Sequence, residues 1–203
     1  MGKSNENKKK LWILFFTIMY SIIFAVIYIA TQNYEFIGYI FVMLFLAFVA
    51  YRLNKKYEFS PGVLLGLSIW GILHMTGGIL IVKGDVLYRL ILIPIYQHPE
   101  IQEFVIMKFD QFAHFYFYFF ATLFSFYLLK PHLNKNYSRK MIYVLLIFIG
   151  MGIGALNEII EFGLVLTVKS TGVGGYYNTL LDIIFNTLGA IAAVIYIHLS
   201  GKK

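Results

Sequence analysis

Asn157-Glu158-Ile159-Ile160-Glu161-Phe162 lies in the later half of an apolar run, Met141 to Val168, that is long enough to cross a lipid bilayer. Glu158 and Glu161 are three residues apart, so on a helix they share one face. A charged group deep in a bilayer is costly. It turns toward the interior of a helix bundle, where it marks a functional site. The rest of the chain is therefore read for what these two carboxylates face.

Composition agrees with a membrane setting. The 203 residues are 60% hydrophobic and only 13% charged, where a soluble domain would carry about a quarter charged residues. Mean hydropathy is +0.74. Several apolar runs of roughly 20 residues predict an all-α, polytopic helical membrane protein. The absence of cysteine excludes disulfides, thiolate metal sites and a cysteine nucleophile. The net charge of +7 sits in short loops and tails, which argues for membrane topology and against nucleic acid as a partner.

Six transmembrane helices are expected, at about 11–30, 36–51, 61–82, 104–129, 141–168 and 179–199. They form one membrane domain, 11–199, between a basic tail, 1–10, and a short tail, 200–203. Leu11 to Ala30 is too long for a signal-peptide core and has no small-x-small cleavage site before Thr31. Residues 87–96 are apolar but short and end near Pro94 and Pro99, as an interfacial or re-entrant segment would. With both termini cytoplasmic, the inner segments hold four, three, four and two Lys/Arg. The outer loops hold Lys83, Arg89 and Lys169, with Lys108 near the start of a span. That positive-inside bias sets the orientation in the cytoplasmic (inner) membrane.

Topology converts position into depth. Asp110 and His114 fall in the outer half of the fourth span, Glu158 and Glu161 in the outer half of the fifth, and Asp182 and Asn186 in the first two turns of the sixth. His74 lies at similar depth in the third. Asp110 and His114 are i,i+4, and Asn178, Asp182, Asn186, Gly189 and Ala193 form a polar-then-small stripe. Gly150 and Gly154 continue the Glu158 face, and Gly71 and Gly78 flank His74. Small residues at these places allow close helix approach below a polar pocket. Four carboxylates gather against His74, His114 and Lys108, so they hold protons or share a cation. A divalent metal bound by Asp110, His114, Glu158 and Asp182 is one solution. A proton relay or a cationic ligand group are the others. Asn178 and Thr179 also suit helix capping. His98, His132 and His198 lie in loops or near the cytoplasmic end, and Gly172 to Gly175 lacks the length and ending of a phosphate loop.

Three motifs carry a resemblance. Asp110-Gln111-Phe112-Ala113-His114-Phe115 resembles the Asp-x-x-x-His span opening of the VanZ-like membrane proteins and the related YjdF-like inner-membrane family. Glu158-Ile159-Ile160-Glu161-Phe162 is similar to the Glu-x-x-Glu-aromatic form of the YjdF-like branch. Asp182-Ile183-Ile184-Phe185-Asn186-Thr187-Leu188-Gly189-Ala190 resembles the closing Asp-x-x-x-Asn-x-x-Gly-Ala motif. VanZ-like proteins tend to carry Gln where Glu161 stands, with an Arg ahead of the last Asp. The YjdF-like branch tends to carry Asp where Asn178 stands. The resemblance implies a cell-envelope membrane protein, linked in the VanZ case to glycopeptide resistance.

Three functions stay open on these residues. The first is a metal-assisted or acid-base hydrolase or transferase acting on a lipid or lipid-linked envelope molecule. Glu161 is then the base, beside Glu158, Asp110 and His114, with His74, Asn178 and Asn186 in support. The second is a non-catalytic factor that binds an antibiotic or envelope precursor. The third, a proton-linked transporter, finds no inverted repeat, broken helix pair or polar groups in the cytoplasmic halves.

Overall fold

A computed structural model describes residues 2–102, 104–134, 136–168 and 172–201. Lys135, Lys169, Lys202 and Lys203 of the charge count, and the last two residues of the C-terminal tail, lie outside the described residues. The described chain is mostly helical: α1 (Lys3–Ala30), α2 (Tyr34–Tyr57), α3 (Pro61–Gly77), α4 (Phe109–Leu129), α5 (Arg139–Thr167) and α6 (Tyr176–Ser200). Five of these are long and apolar enough to cross a membrane. Faces of α1, α2 and α5 present Trp12, Phe15, Phe41, Phe45, Phe148 and Phe162 outward, which suits lipid and not water. The chain is a multi-pass membrane protein.

The third expected span, 61–82, is shorter than its hydropathy suggested. α3 has 17 residues, roughly 25 Å of helix against a hydrocarbon core of about 30 Å. Its start is well specified, with Pro61 in the first turn and the Ser60 side chain accepting from the Val63 N–H at 3.2 Å. At the other end the Thr76 carbonyl accepts from the N–H groups of Ile79 and Leu80, and the helix stops. Ile81 and Val82, expected to continue the span, form β1 (Ile81–Val82) against β2 (Asp85–Val86). Lys83 and Gly84 turn between them, both at positive φ, as a two-residue hairpin requires.

The 87–96 segment and the start of the fourth span also differ from expectation. A short 3₁₀ turn (Leu87–Arg89) leads into β3 (Ile91–Gln97), which pairs antiparallel with β4 (Val105–Lys108). The helix expected from residue 104 begins only at Phe109. The ladder is irregular between Ile91 and Tyr96, the interval that holds Pro94, which has no N–H to give a neighbouring strand. All seven residues of β3 are exposed. The segment therefore never showed the alternation that marks a half-buried strand.

Helix packing concentrates where side chains are smallest. α4 packs against α6 and α5, α5 against α6, α3 against α4, and α1 against α2 and α3. A Cβ added at Gly189 of α6 would run into the Phe115 carbonyl oxygen of α4. One at Gly150 would lie 2.7 Å from Ala190 Cβ, and one at Gly154 2.7 Å from Asn186 Nδ2. The three helices thus meet almost backbone to backbone. Larger side chains fill the α1–α2–α3 side, where Tyr28 stacks on Phe36 and Tyr20, Tyr39, Met43 and Met75 are buried. The two hairpins and the α1–α2 and α5–α6 connections lie at one end of the bundle, here the hairpin end. The α2–α3 and α4–α5 connections mark the other.

Candidate functional site

Gln111 starts the site by starting α4. Its Oε1 accepts from the Met107 and Lys108 N–H groups at 2.5 and 3.1 Å, and its Nε2 donates to the Val105 carbonyl at 2.7 Å. This fully buried amide ties β4 to the helix and sets the two turns that carry Asp110 and His114. On α6, Asn178, Asp182 and Asn186 recur every four residues, so all three face α4 and all three are buried. On α5, Glu158 and Glu161 share the face beyond Gly154.

The polar groups form one connected set. Lys108 Nζ donates to Asn178 Oδ1 at 2.6 Å. With its oxygen engaged, the Asn178 amide donates to Asp110 Oδ2 at 3.1 Å and Asp182 Oδ2 at 2.6 Å. His114 Nδ1 lies 2.9 Å from Asn186 Oδ1, which as a pure acceptor takes the Nδ1–H. His114 Nε2 then points toward Asp110 Oδ1, 3.6 Å away. On α5, Asn157 Nδ2 donates to Glu161 Oε1 at 2.8 Å.

What stays unmatched is as informative. Asp182 Oδ1, Glu158 Oε1 and Asn186 Nδ2 are buried side-chain atoms without a hydrogen-bond partner, a costly arrangement unless something else meets them. Two sets offer ligand atoms that all lie within 4.8 Å of one another: Asp110, His114 and Asp182, and His114, Glu158 and Glu161. His114 belongs to both. The four-residue set expected from sequence is therefore split, with Glu158 grouped beside Glu161 and not with Asp110 and Asp182.

A cavity of about 1340 Å³ reaches this cluster from the hairpin end and is lined by Asp110, His114, Glu161, Asn178, Lys108 and His74 among others. Glu158 and Asp182 stand behind that lining. His74 joins neither three-residue set. α3 ends at Gly77, so His74 lies in its last turn and not deep in a span as expected. Its ring stacks on Trp70 at 5.0 Å, and its Nδ1 is hydrogen-bonded to the Tyr88 hydroxyl. Burial, with Asp110 and Glu161 close by, pushes the Tyr88 hydroxyl well above its usual range. Tyr88 therefore keeps its proton beside the His74 ring.

Sequence reasoning missed several participants. Glu35 is buried in the first turn of α2, lines the same cavity and accepts from the Gly172 N–H at 2.6 Å. Its signal was available: an acidic residue just after Asn33, whose side chain caps the helix by accepting from Phe36 N–H. Tyr88 and Gln111 had no comparable signature. No curated protein and no solved structure matches the chain. A family match covers residues 10–203, nearly its whole length, and the chain belongs to that family, described as predicted membrane protein (DUF2238).

Proposed function

We propose that the protein is a six-span membrane enzyme of the cell envelope, with both termini in the cytoplasm and the hairpin end outside. Its His114-centred cluster binds a divalent cation and supports hydrolysis or group transfer on a lipid or lipid-linked envelope molecule. One observation carries the reading. Asp110, His114 and Asp182 bring ligand atoms together while the other atom of each is already held, by Asn178, Asn186 and Asn178 again. Outer partners that orient each ligand are what a metal site requires. Three protein ligands leave a position for water or substrate.

The roles divide by access. Asp110 and His114 meet the cavity, Asp182 backs them, and Glu161, held by Asn157, is the cavity-facing base. Glu158 lies in the set that shares His114 and counters charge from the α5 side. A bound cation lowers the pKa of its water and polarises the bond under attack. The motifs shared with VanZ-like and YjdF-like proteins support an envelope role in the cytoplasmic membrane, with membrane lipids and a lipid-linked precursor or glycopeptide as partners. That resemblance and the cavity's size also favour a second reading, a non-catalytic binding or antibiotic-resistance factor.

Elemental analysis of detergent-purified protein tests the proposal. About one divalent ion per chain, lost in Asp110→Ala/Glu158→Ala, supports it. A metal-free wild type removes the hydrolytic water and leaves the binding reading. A metal-loaded protein that turns over no lipid or lipid-phosphate substrate, yet binds one, does the same.

A further inference from the structure

A second cavity, about 620 Å³, opens at the other end of the bundle between α1, α2, α3 and α4. It lies apart from the His114 cluster and owes nothing to the reading of that cluster. On α1 its lining extends from Asn7 to Tyr20, and the part from the mouth residue Lys10 inward is roughly 15 Å along the axis. One leaflet of hydrocarbon is about as deep.

The walls are apolar in effect although they carry hydroxyls. Thr17 Oγ1 donates to the Ile13 carbonyl at 2.8 Å and shares a 2.7 Å hydrogen bond with Ser68 Oγ. Tyr20 donates to the Ser68 carbonyl and Ser125 to the Ala121 carbonyl, each at 2.8 Å. With these groups satisfied internally, the slot offers a methylene chain a matching surface and a polar solute nothing. The mouth is different. Lys10 and Lys55 line it, and neither is ion-paired with a carboxylate among the described residues. Asn54 lines the same space, and its Oδ1 is buried and without a hydrogen-bond partner.

We infer that this slot binds one anionic phospholipid from the adjoining leaflet: an acyl chain lies along Thr17, Tyr20 and Trp70, and the phosphate lies between Lys10 and Lys55. Asn54 Oδ1 can only accept, so the headgroup that completes the mouth also carries a hydroxyl donor, as phosphatidylglycerol does. Slot and mouth therefore select a lipid class, where a merely lipid-facing groove would not.

Trp70 reports on the slot. The chain has two tryptophans, and Trp12, 67% exposed, is removed as Trp12→Phe. In nanodiscs of unlabelled phosphatidylcholine, a small mole fraction of brominated phosphatidylglycerol should quench Trp70 far more than brominated phosphatidylcholine does. Each lysine should contribute roughly fivefold in occupancy. Lys10→Gln/Lys55→Gln should lower phosphatidylglycerol to the phosphatidylcholine level, and Asn54→Leu should lower it partway. Ala47→Phe, in the slot wall, should abolish quenching by either lipid at unchanged helix content. The smaller Ala50→Leu replaces it if helix content falls. Equal quenching by the two lipids overturns the selectivity. No quenching by either means that no acyl chain enters.

Discussion

The two ends of this bundle treat buried polar atoms in opposite ways. At the hairpin end, Asp182 Oδ1, Glu158 Oε1 and Asn186 Nδ2 are buried without partners, although the atoms beside them are carefully bonded. At the other end, Thr17, Tyr20, Ser68 and Ser125 satisfy one another or the backbone, the space between them is apolar, and the exception, Asn54 Oδ1, stands at its mouth. A folding constraint alone would satisfy both ends. The unmatched atoms at one end are what a ligand leaves room for, and the closed hydrogen bonds at the other make a wall.

The largest expected effect would break this contrast at its centre. His114→Ala or Asp182→Ala should remove stoichiometric divalent metal, read by elemental analysis, while Ser68→Ala in the opposite end keeps it. Metal retained in Asp182→Ala would mean that the buried Oδ1 is not a ligand. A smaller effect falls on the outer partners. Asn178→Leu leaves every ligand in place but frees Asp110 and Asp182 from their shared amide. Metal affinity, measured against a competing chelator, should fall about 10- to 100-fold. Unchanged affinity would reduce Asn178 to a packing residue of the α4–α6 contact.

Much of this site was legible in the sequence because membrane topology turns chain position into depth. Asp110, His114, Glu158, Glu161, Asp182 and Asn186 come from three helices and were grouped on depth and helical spacing alone. The structure brings the five titratable ones together in two overlapping sets, with Asn186 hydrogen-bonded to the His114 they share. The glycines behind them were legible for a related reason: Gly150, Gly154 and Gly189 stand where a Cβ would strike a neighbouring helix. What failed lies at the ends of helices, where hydropathy carries no boundary. β1 and β4 took residues expected in spans, and α3 stops at Gly77, which moves His74 to a helix end. Glu35 sat just outside an expected span and was passed over, although it is buried. Tyr88 reaches His74 from an irregular segment, and no periodic pattern points to such a contact.

Between the two ends, Gly189 tests whether the α4–α6 contact supports both. Gly189→Ala places a methyl against the Phe115 carbonyl, and overpacking of this kind costs about 1–3 kcal/mol. Gly152→Ala, where nothing lies within 4 Å of the new Cβ, should be neutral or gain up to about 1 kcal/mol from helix propensity. Denaturation in detergent, followed by loss of helix, reads both. Equal stability of the two variants would mean that α4 and α6 adjust freely, and that the hydrogen bonds of Asn178 do not depend on close approach.

The smallest effect sharpens the comparison with a single atom. Thr17 and Thr122 are both buried threonines in the bundle. Thr17 bonds to the Ile13 carbonyl and to Ser68, whereas Thr122 Oγ1 has no partner. Valine keeps the shape of threonine and removes the hydroxyl. Thr17→Val leaves Ser68 Oγ unmatched in an apolar wall and should cost about 1 kcal/mol. Thr122→Val removes a polar atom that was already unsatisfied, so it should be neutral or slightly stabilising. Thr122 lies against Gly150, on the α5 face that continues to Glu158. If Thr122→Val instead destabilises as much as Thr17→Val, its hydroxyl is matched after all, by a water or ion from the site. The polar character of the hairpin end would then extend a full turn deeper, toward the middle of the bundle.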